Sequence, residues 1–148
     1  MSDTLQQRLD LPPIDQVGFV VPDLDAALKL YEPLFGPFEM LDAPLQGATF
    51  RGEKKDCHLS LAFGKSGVLE MEFIAVLSGA CPHQEFLDAG GNGMHHVRYR
   101  VGDHDAKVAA ASAIGFDPIW SMRMDGDIAF SYLQRAGDPL IIEFLQMP

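Results

Sequence analysis

Apolar and polar residues alternate over several short stretches, and helical spacing appears in two of the gaps between them. Ile14 to Val21 has high β-propensity and stops at Pro22. Asp23 then caps a predicted helix whose apolar positions Leu24, Ala27, Leu28, Tyr31, Leu34 and Phe35 keep the 3.6-residue period. Pro33 is expected to distort its last turn and Gly36 to end it. Phe38 to Leu41 and Ala48 to Arg51 read as two short strands, and Gly52 to Asp56 as a charged turn. His58 to Phe63 and Val68 to Val76 read as two further strands. A linker, Leu77 to Gly93, should hold one short helix that begins at Pro82 and ends at Gly90-Gly91. The order then repeats. A strand over 96–101 leads to an Asp103-capped helix from about 104 to 114, then to strands near 117–124, 128–134 and 139–146.

The repetition extends to single residues. Gln16-Val-Gly-Phe-Val-Val-Pro-Asp-Leu-Asp25 lies over His96-Val-Arg-Tyr-Arg-Val-Gly-Asp-His-Asp105 without a gap, 80 positions apart. Leu69-Glu-Met-Glu-Phe-Ile74 lies over Leu140-Ile-Ile-Glu-Phe-Leu145, 71 positions apart. Self-similarity on this scale predicts two copies of one supersecondary unit that bury each other's faces. The predicted organisation is a polar tail over 1–13 and a single domain over 14–146. Module one spans about 14–76, the linker about 77–93 and module two about 94–146.

Composition narrows the partners. The chain has 148 residues, 47% of them hydrophobic, enough for one core. A formal net charge of −10, with no basic run, argues against nucleic acid. No stretch approaches membrane-spanning length, so no membrane partner and a cytoplasmic location are expected. Cys57 and Cys81 fit neither a metal spacing nor a disulfide framework and are read as free thiols.

The chemistry comes from polar residues that the repeat lays on apolar strands. They are Gln16 with His96 and Glu72 with Glu143. A carboxylate facing a core costs on the order of several kcal/mol unless it has a partner or a metal. Two carboxylates, one amide oxygen and one imidazole suit a divalent metal ion such as zinc, nickel, cobalt, manganese or ferrous iron. Glu70 shares the face of Glu72 and is an alternative ligand; the match to Glu143 favours Glu72. In a regular strand His95 and His96 face opposite ways, so only one can enter a site, and His95 is read as a group that supports the site or sits at an interface. His58 is read as an exposed strand residue or, alternatively, as a group lining the cavity. His83 and His104, at helix starts, are read as solvated. Arg98 and Arg100 are expected to meet a substrate anion or acidic neighbours. Trp120, Met122 and Met124 should pack the second sheet, with 122–127 as an alternative substrate-touching rim.

Together these pieces resemble the vicinal oxygen chelate superfamily, the relatives of glyoxalase I, methylmalonyl-CoA epimerase, bleomycin resistance protein and the extradiol dioxygenases. The matching motifs are Ile14 to Val21 with Pro22-Asp-Leu-Asp, Met71-Glu-Phe-Ile, Glu85-Phe-Leu, Gly93-Met-His-His-Val and Ile142-Glu-Phe-Leu. The resemblance implies an α+β fold in which two βαβββ modules form a curved mixed sheet around a cavity. It selects His96 over His95 as ligand, beside Gln16, Glu72 and Glu143. It also implies a metal-dependent isomerase or lyase, in which Glu143 or Glu72 moves a proton on a small-molecule substrate while the metal stabilises an enediolate. One departure stands out: epimerase relatives carry a catalytic glutamate on the strand matching His58–Phe63, where this chain has none. The alternatives are a metal-free small-molecule-binding protein and a ring-cleaving dioxygenase, the latter disfavoured because Gln16 stands where a histidine is needed. A homodimer is expected from the resemblance.

Overall fold

The structure, a computed structural model, describes residues 5–148. Module one runs β1 (Gln16–Val20), α2 (Leu24–Phe35), β2 (Glu39–Phe50), β3 (Glu53–Ser66) and β4 (Leu69–Gly79), preceded by α1 (Leu5–Leu9). After α3 (Pro82–Asp88), module two runs β5 (Gly93–Arg100), α4 (His104–Ser112), β6 (Asp117–Met124), β7 (Ile128–Gln134) and β8 (Ile141–Gln146). The strands close into one barrel in the order β1-β4-β3-β2-β6-β7-β8-β5. Each half reads the same way: β1 pairs parallel with β4 as β5 does with β8, and the remaining neighbours are antiparallel. This is a mixed α+β fold with two βαβββ units around an interior cavity. Antiparallel pairing of β1 with β5, Val17 opposite Val97, joins the halves on one side. A short β2–β6 contact joins them on the other.

Strand alternation sorts the core into an inside and an outside. On the outer face of module one, Val17, Met71, Phe73 and Ala62 pack under α2, which brings Leu24, Tyr31 and Phe35. Asp23 caps that helix by accepting from the Ala26 N–H, and Asp103 repeats the device at Ala106. Outside module two, Ile142, Phe144 and Leu133 pack under Ala111 and Val108 of α4. Inside lie Ile74, Leu59, Trp120, Phe130, Tyr132 and Ile141.

Several local expectations are corrected. Glu39–Phe50 is one long strand rather than two, because an irregularity between Leu45 and Ala48 absorbs Gln46-Gly47 without breaking the pairing to β3. The Gly47 N–H donates to the Asp56 carboxylate at 2.7 Å and closes that bulge. The turn shrinks to Arg51-Gly52, both in the left-handed region, and Glu53 to Asp56 belong to β3. β8 begins at Ile141, two residues later than expected. The segment read as a tail contains α1, and Leu9 is buried against module two, where the Lys107 ammonium holds the Leu9 and Asp10 carbonyls; residues 1–4 of that segment lie outside the described residues. No helix among the described residues is long and apolar enough to cross a membrane.

Candidate metal centre and cavity

The four repeat-related residues come from the four central strands. Gly18 of β1 stands opposite both Glu72 of β4 and His96 of β5, and Arg98 stands opposite both Gln16 and Glu143. All point to the interior, because their neighbours Val17, Phe73, Val97 and Phe144 pack outside. His96 Nε2 lies 3.3 Å from Glu72 Oε1 and 3.5 Å from Glu143 Oε1. Gly18 makes this possible. A Cβ there would sit 2.1 Å from His96 Cε1 and 2.3 Å from Nε2. Glu70 is not interchangeable with Glu72: it accepts from Gln16 Nε2 at 2.6 Å, which leaves Gln16 Oε1 buried and without a partner.

Burial dominates the electrostatics. It raises Glu72 to about 7, with Glu70 adding to the shift and Arg98 opposing it. It raises Glu143 to about 8, helped by the charge of Glu72. Burial and Arg98 push His96 down to about 3, so its imidazole is neutral. Burial also works against the charge on Arg98, but the hydrogen bond to Asp15 and the fields of Glu143 and Glu70 outweigh it. Arg98 meets Asp15 at 2.9 and 3.2 Å and Glu70 at 3.6 Å, so it pairs with acidic neighbours.

The two adjacent histidines do converge, against the alternation argument. A register shift in the β1–β5 ladder between Gly18 and Phe19 leaves His95 between the pairs made by Met94 and His96. His95 Nδ1 lies 3.0 Å from His96 Nδ1. One ring donates its Nδ1–H to the other, and His96 Nε2 faces Glu72 and Glu143. His83 is fully buried rather than solvated; its Nε2 lies 2.9 Å from the Tyr132 hydroxyl, which reaches His96 Nε2 at 3.4 Å. His83, His95 and His96 thereby form a second cluster that could hold a metal. The set with Glu72 and Glu143 adds two carboxylates that would offset an ion's charge, where the imidazole cluster offers neutral donors only.

The other histidines lie outside the barrel interior. His104 is buried too, between Ser131 Oγ at 2.7 Å and Asp105 at 2.8 Å. His58 pairs with Asp42 at 2.6 Å on the face opposite the inward Leu59 and Leu61, so it does not line the cavity. Cys57 and Cys81 are buried free thiols.

Tyr132 had no signal in the periodicity. The register sets it opposite Glu143 as Phe63 is set opposite Glu72, so its hydroxyl marks one half of the repeat only. Above the carboxylates opens a cavity of about 260 Å³, lined also by Trp120, Met124 and Arg98.

The donor set passes a chemical test for a metal. Gln16 Oε1 is an orphaned buried acceptor, and two carboxylates flank one neutral imidazole.

A methylmalonyl-CoA epimerase from Mycobacterium tuberculosis has a similar structure, with a TM-score of 0.66 and 21% identity over 100% of this chain and 93% of its own. A hypothetical protein from Bacillus halodurans C-125 gives 0.65 and 19% identity, covering 92% of this chain and 94% of its own. Streptomyces coelicolor methylmalonyl-CoA epimerase, in complex with 2-nitronate-propionyl-CoA, gives 0.60 and 20%, covering 93% and 95%. No curated protein matches the sequence. The family model for the glyoxalase/bleomycin resistance protein/dioxygenase superfamily matches residues 15–132, and the chain belongs to that superfamily.

Proposed function

We propose that the protein is a divalent-metal-dependent isomerase or lyase that moves a proton on a small carbonyl or thioester substrate. The observation that carries this reading is the buried, unpartnered Gln16 Oε1 on the strand that faces His96, with Glu72 and Glu143 on either side of the imidazole. Gln16, Glu72, His96 and Glu143 would hold the ion: zinc, nickel, cobalt, manganese or iron. When bound, it would supply Lewis-acid polarisation of the substrate oxygens and balance the two carboxylate charges.

The remaining steps belong to the chain. Glu143 takes the proton from the carbon beside the carbonyl and returns it. Without the ion, burial and the charge of Glu72 raise the proton affinity of Glu143; a bound ion would lower it and free the carboxylate to act as base. Glu72 is the alternative base. Tyr132 lines the cavity beside both carboxylates and offers a hydroxyl donor to a substrate oxygen. Leu59 and Leu61 present no acid or base from β3, which favours proton transfer on one face over epimerisation between two opposed bases.

The test is metal analysis together with solvent deuterium uptake into α-keto hemithioacetals and 2-substituted acyl thioesters. About one equivalent of metal per chain and uptake abolished by Glu143→Gln, with His58→Ala near normal, is the expected result. Uptake that survives Glu143→Gln would move the base elsewhere. A chain that never holds metal would favour the metal-free binding protein, a reading the apolar cavity wall also suits. The dioxygenase reading lacks a second histidine ligand at Gln16.

A further inference from the structure

The cavity is made of two unlike parts. Its floor carries Glu72, Arg98 and Glu143, while its wall is Leu41 and Leu45 from β2, Leu59 and Leu61 from β3, and Met124 and Phe130 from β6 and β7. Alternation explains the wall: Asp42, His58 and Ser60 take the polar positions of the β2–β3 hairpin and face outward. Apolar character reaches the surface too, with Leu41 52% exposed.

Among the described residues lining the cavity, Arg98 is the one cation, and it is already engaged by two carboxylates, Asp15 and Glu70. An anionic group beyond the reacting oxygens and out of reach of the ion would therefore meet the apolar wall without a counter-charge. Burying an unpaired carboxylate against such a wall is strongly unfavourable.

The geometry points to a substrate whose carbonyl or thioester oxygens face Glu72 and Glu143 and whose far end is an uncharged apolar group, a branched alkyl chain or an aryl ring. Acyl groups that end in a second carboxylate are selected against. This specificity rests on the proton-transfer reading of the same centre. A volume of about 260 Å³ holds roughly a dozen non-hydrogen atoms at interior packing density. Any larger carrier attached through a thioester stays outside.

The test uses full-length, metal-loaded protein and N-acetylcysteamine thioesters of propionic, 2-methylbutyric, 2-phenylpropionic, 2-methylhexanoic and 2-methylglutaric acids, the last joined through the carboxyl beside the branch. Trp120, the single tryptophan, lines the cavity, so its fluorescence reports binding without turnover. Affinity should rise about fourfold for each methylene buried. The 2-methylglutaryl compound should bind about a hundredfold more weakly than the 2-methylhexanoyl compound of equal length. Leu61→Lys, which sets a cation on the wall, should narrow that gap at least about tenfold; if the variant does not fold, the ligand series on the unaltered protein decides. Equal or tighter binding of the 2-methylglutaryl thioester overturns the inference, as does a failure of every thioester to perturb Trp120 at millimolar concentration. Deuterium uptake is scored separately. Apolar thioesters that bind but exchange no deuterium leave the specificity standing and remove the catalytic reading.

Discussion

Replacing Gly18 with Ala adds one methyl group at the point where β1 passes under the His96 ring. The glycine lies in an ordinary strand conformation, so the backbone tolerates alanine and the effect is steric. The new Cβ would start 2.1 Å from His96 Cε1, against the 3.4 Å at which ordinary contact begins, so the ring must retreat by about 1.3 Å. Metal geometry tolerates only about 0.2 Å of ligand error, and a displaced ligand or its support typically costs about 10–100-fold in affinity. The overpacking itself should cost about 1–3 kcal/mol. For a domain of this size, that corresponds to a melting temperature lower by about 2–12 °C. Competition against a chromophoric chelator measures the first effect, and a circular dichroism melt the second. In Gly18→Ala/His96→Ala the crowding is relieved, so the melting temperature should recover while metal affinity stays lost. A single variant with metal affinity within about twofold of the parent and an unchanged melt would refute the position of the His96 ring.

Metal-free protein should lose stability as pH rises. Burial holds Glu72 and Glu143 protonated to about 7 and 8, against 4.5 unfolded, so the native state binds more protons between those values. The stabilisation is complete below about pH 4.5 and lost through pH 7–8, amounting to several kcal/mol at most; His83, His95 and His96, pushed down to about 4, 3 and 3, act in the opposite sense only below about pH 6.5. Thermal melts of chelated protein at pH 6.5 and 8.5 check this, and equal values would count against two buried, metal-free carboxylates. Glu70→Ala frees the Gln16 amide to rotate and should weaken metal by about tenfold or more with little change in the melt; unchanged affinity would remove Glu70 from the support of the site. Light scattering at micromolar concentration should give a homodimer, and a monomer would end that expectation.

The inward polar positions were legible because each interrupts an apolar strand and has a counterpart in the other half of the chain. Gln16, Glu72, His96 and Glu143 needed nothing beyond period and offset. His95 was expected beside the site rather than in it, and it meets His96 in that way, Nδ1 to Nδ1; what the pattern hid is how close the two rings come, because alternation holds only while the ladder is regular and a bulge leaves no mark in a five-residue pattern. The burial of His83 and His104 was hidden because a helix start looks solvated in one dimension. What covers it depends on Tyr132 and Ser131, 49 and 27 residues away. The β2–β3 hairpin was split because Pro44 and Gly47 resemble a loop, while the pairing partner that overrides them lies on another strand. The apolar cavity wall follows from that hairpin and was invisible with it.

Barrel closure also sets an order of events during folding. Gln16 and His96 meet across strands 80 residues apart in sequence, and Glu143 arrives on β8, the last strand to be made. Contacts of such separation form slowly, because loop closure must precede any gain from pairing. Module one can assemble α2 on its own sheet early, yet it offers only Gln16 and Glu72. The proposed donor set is complete only once the barrel has closed, so an ion held by it would act as a latch on the finished fold rather than as a template for it.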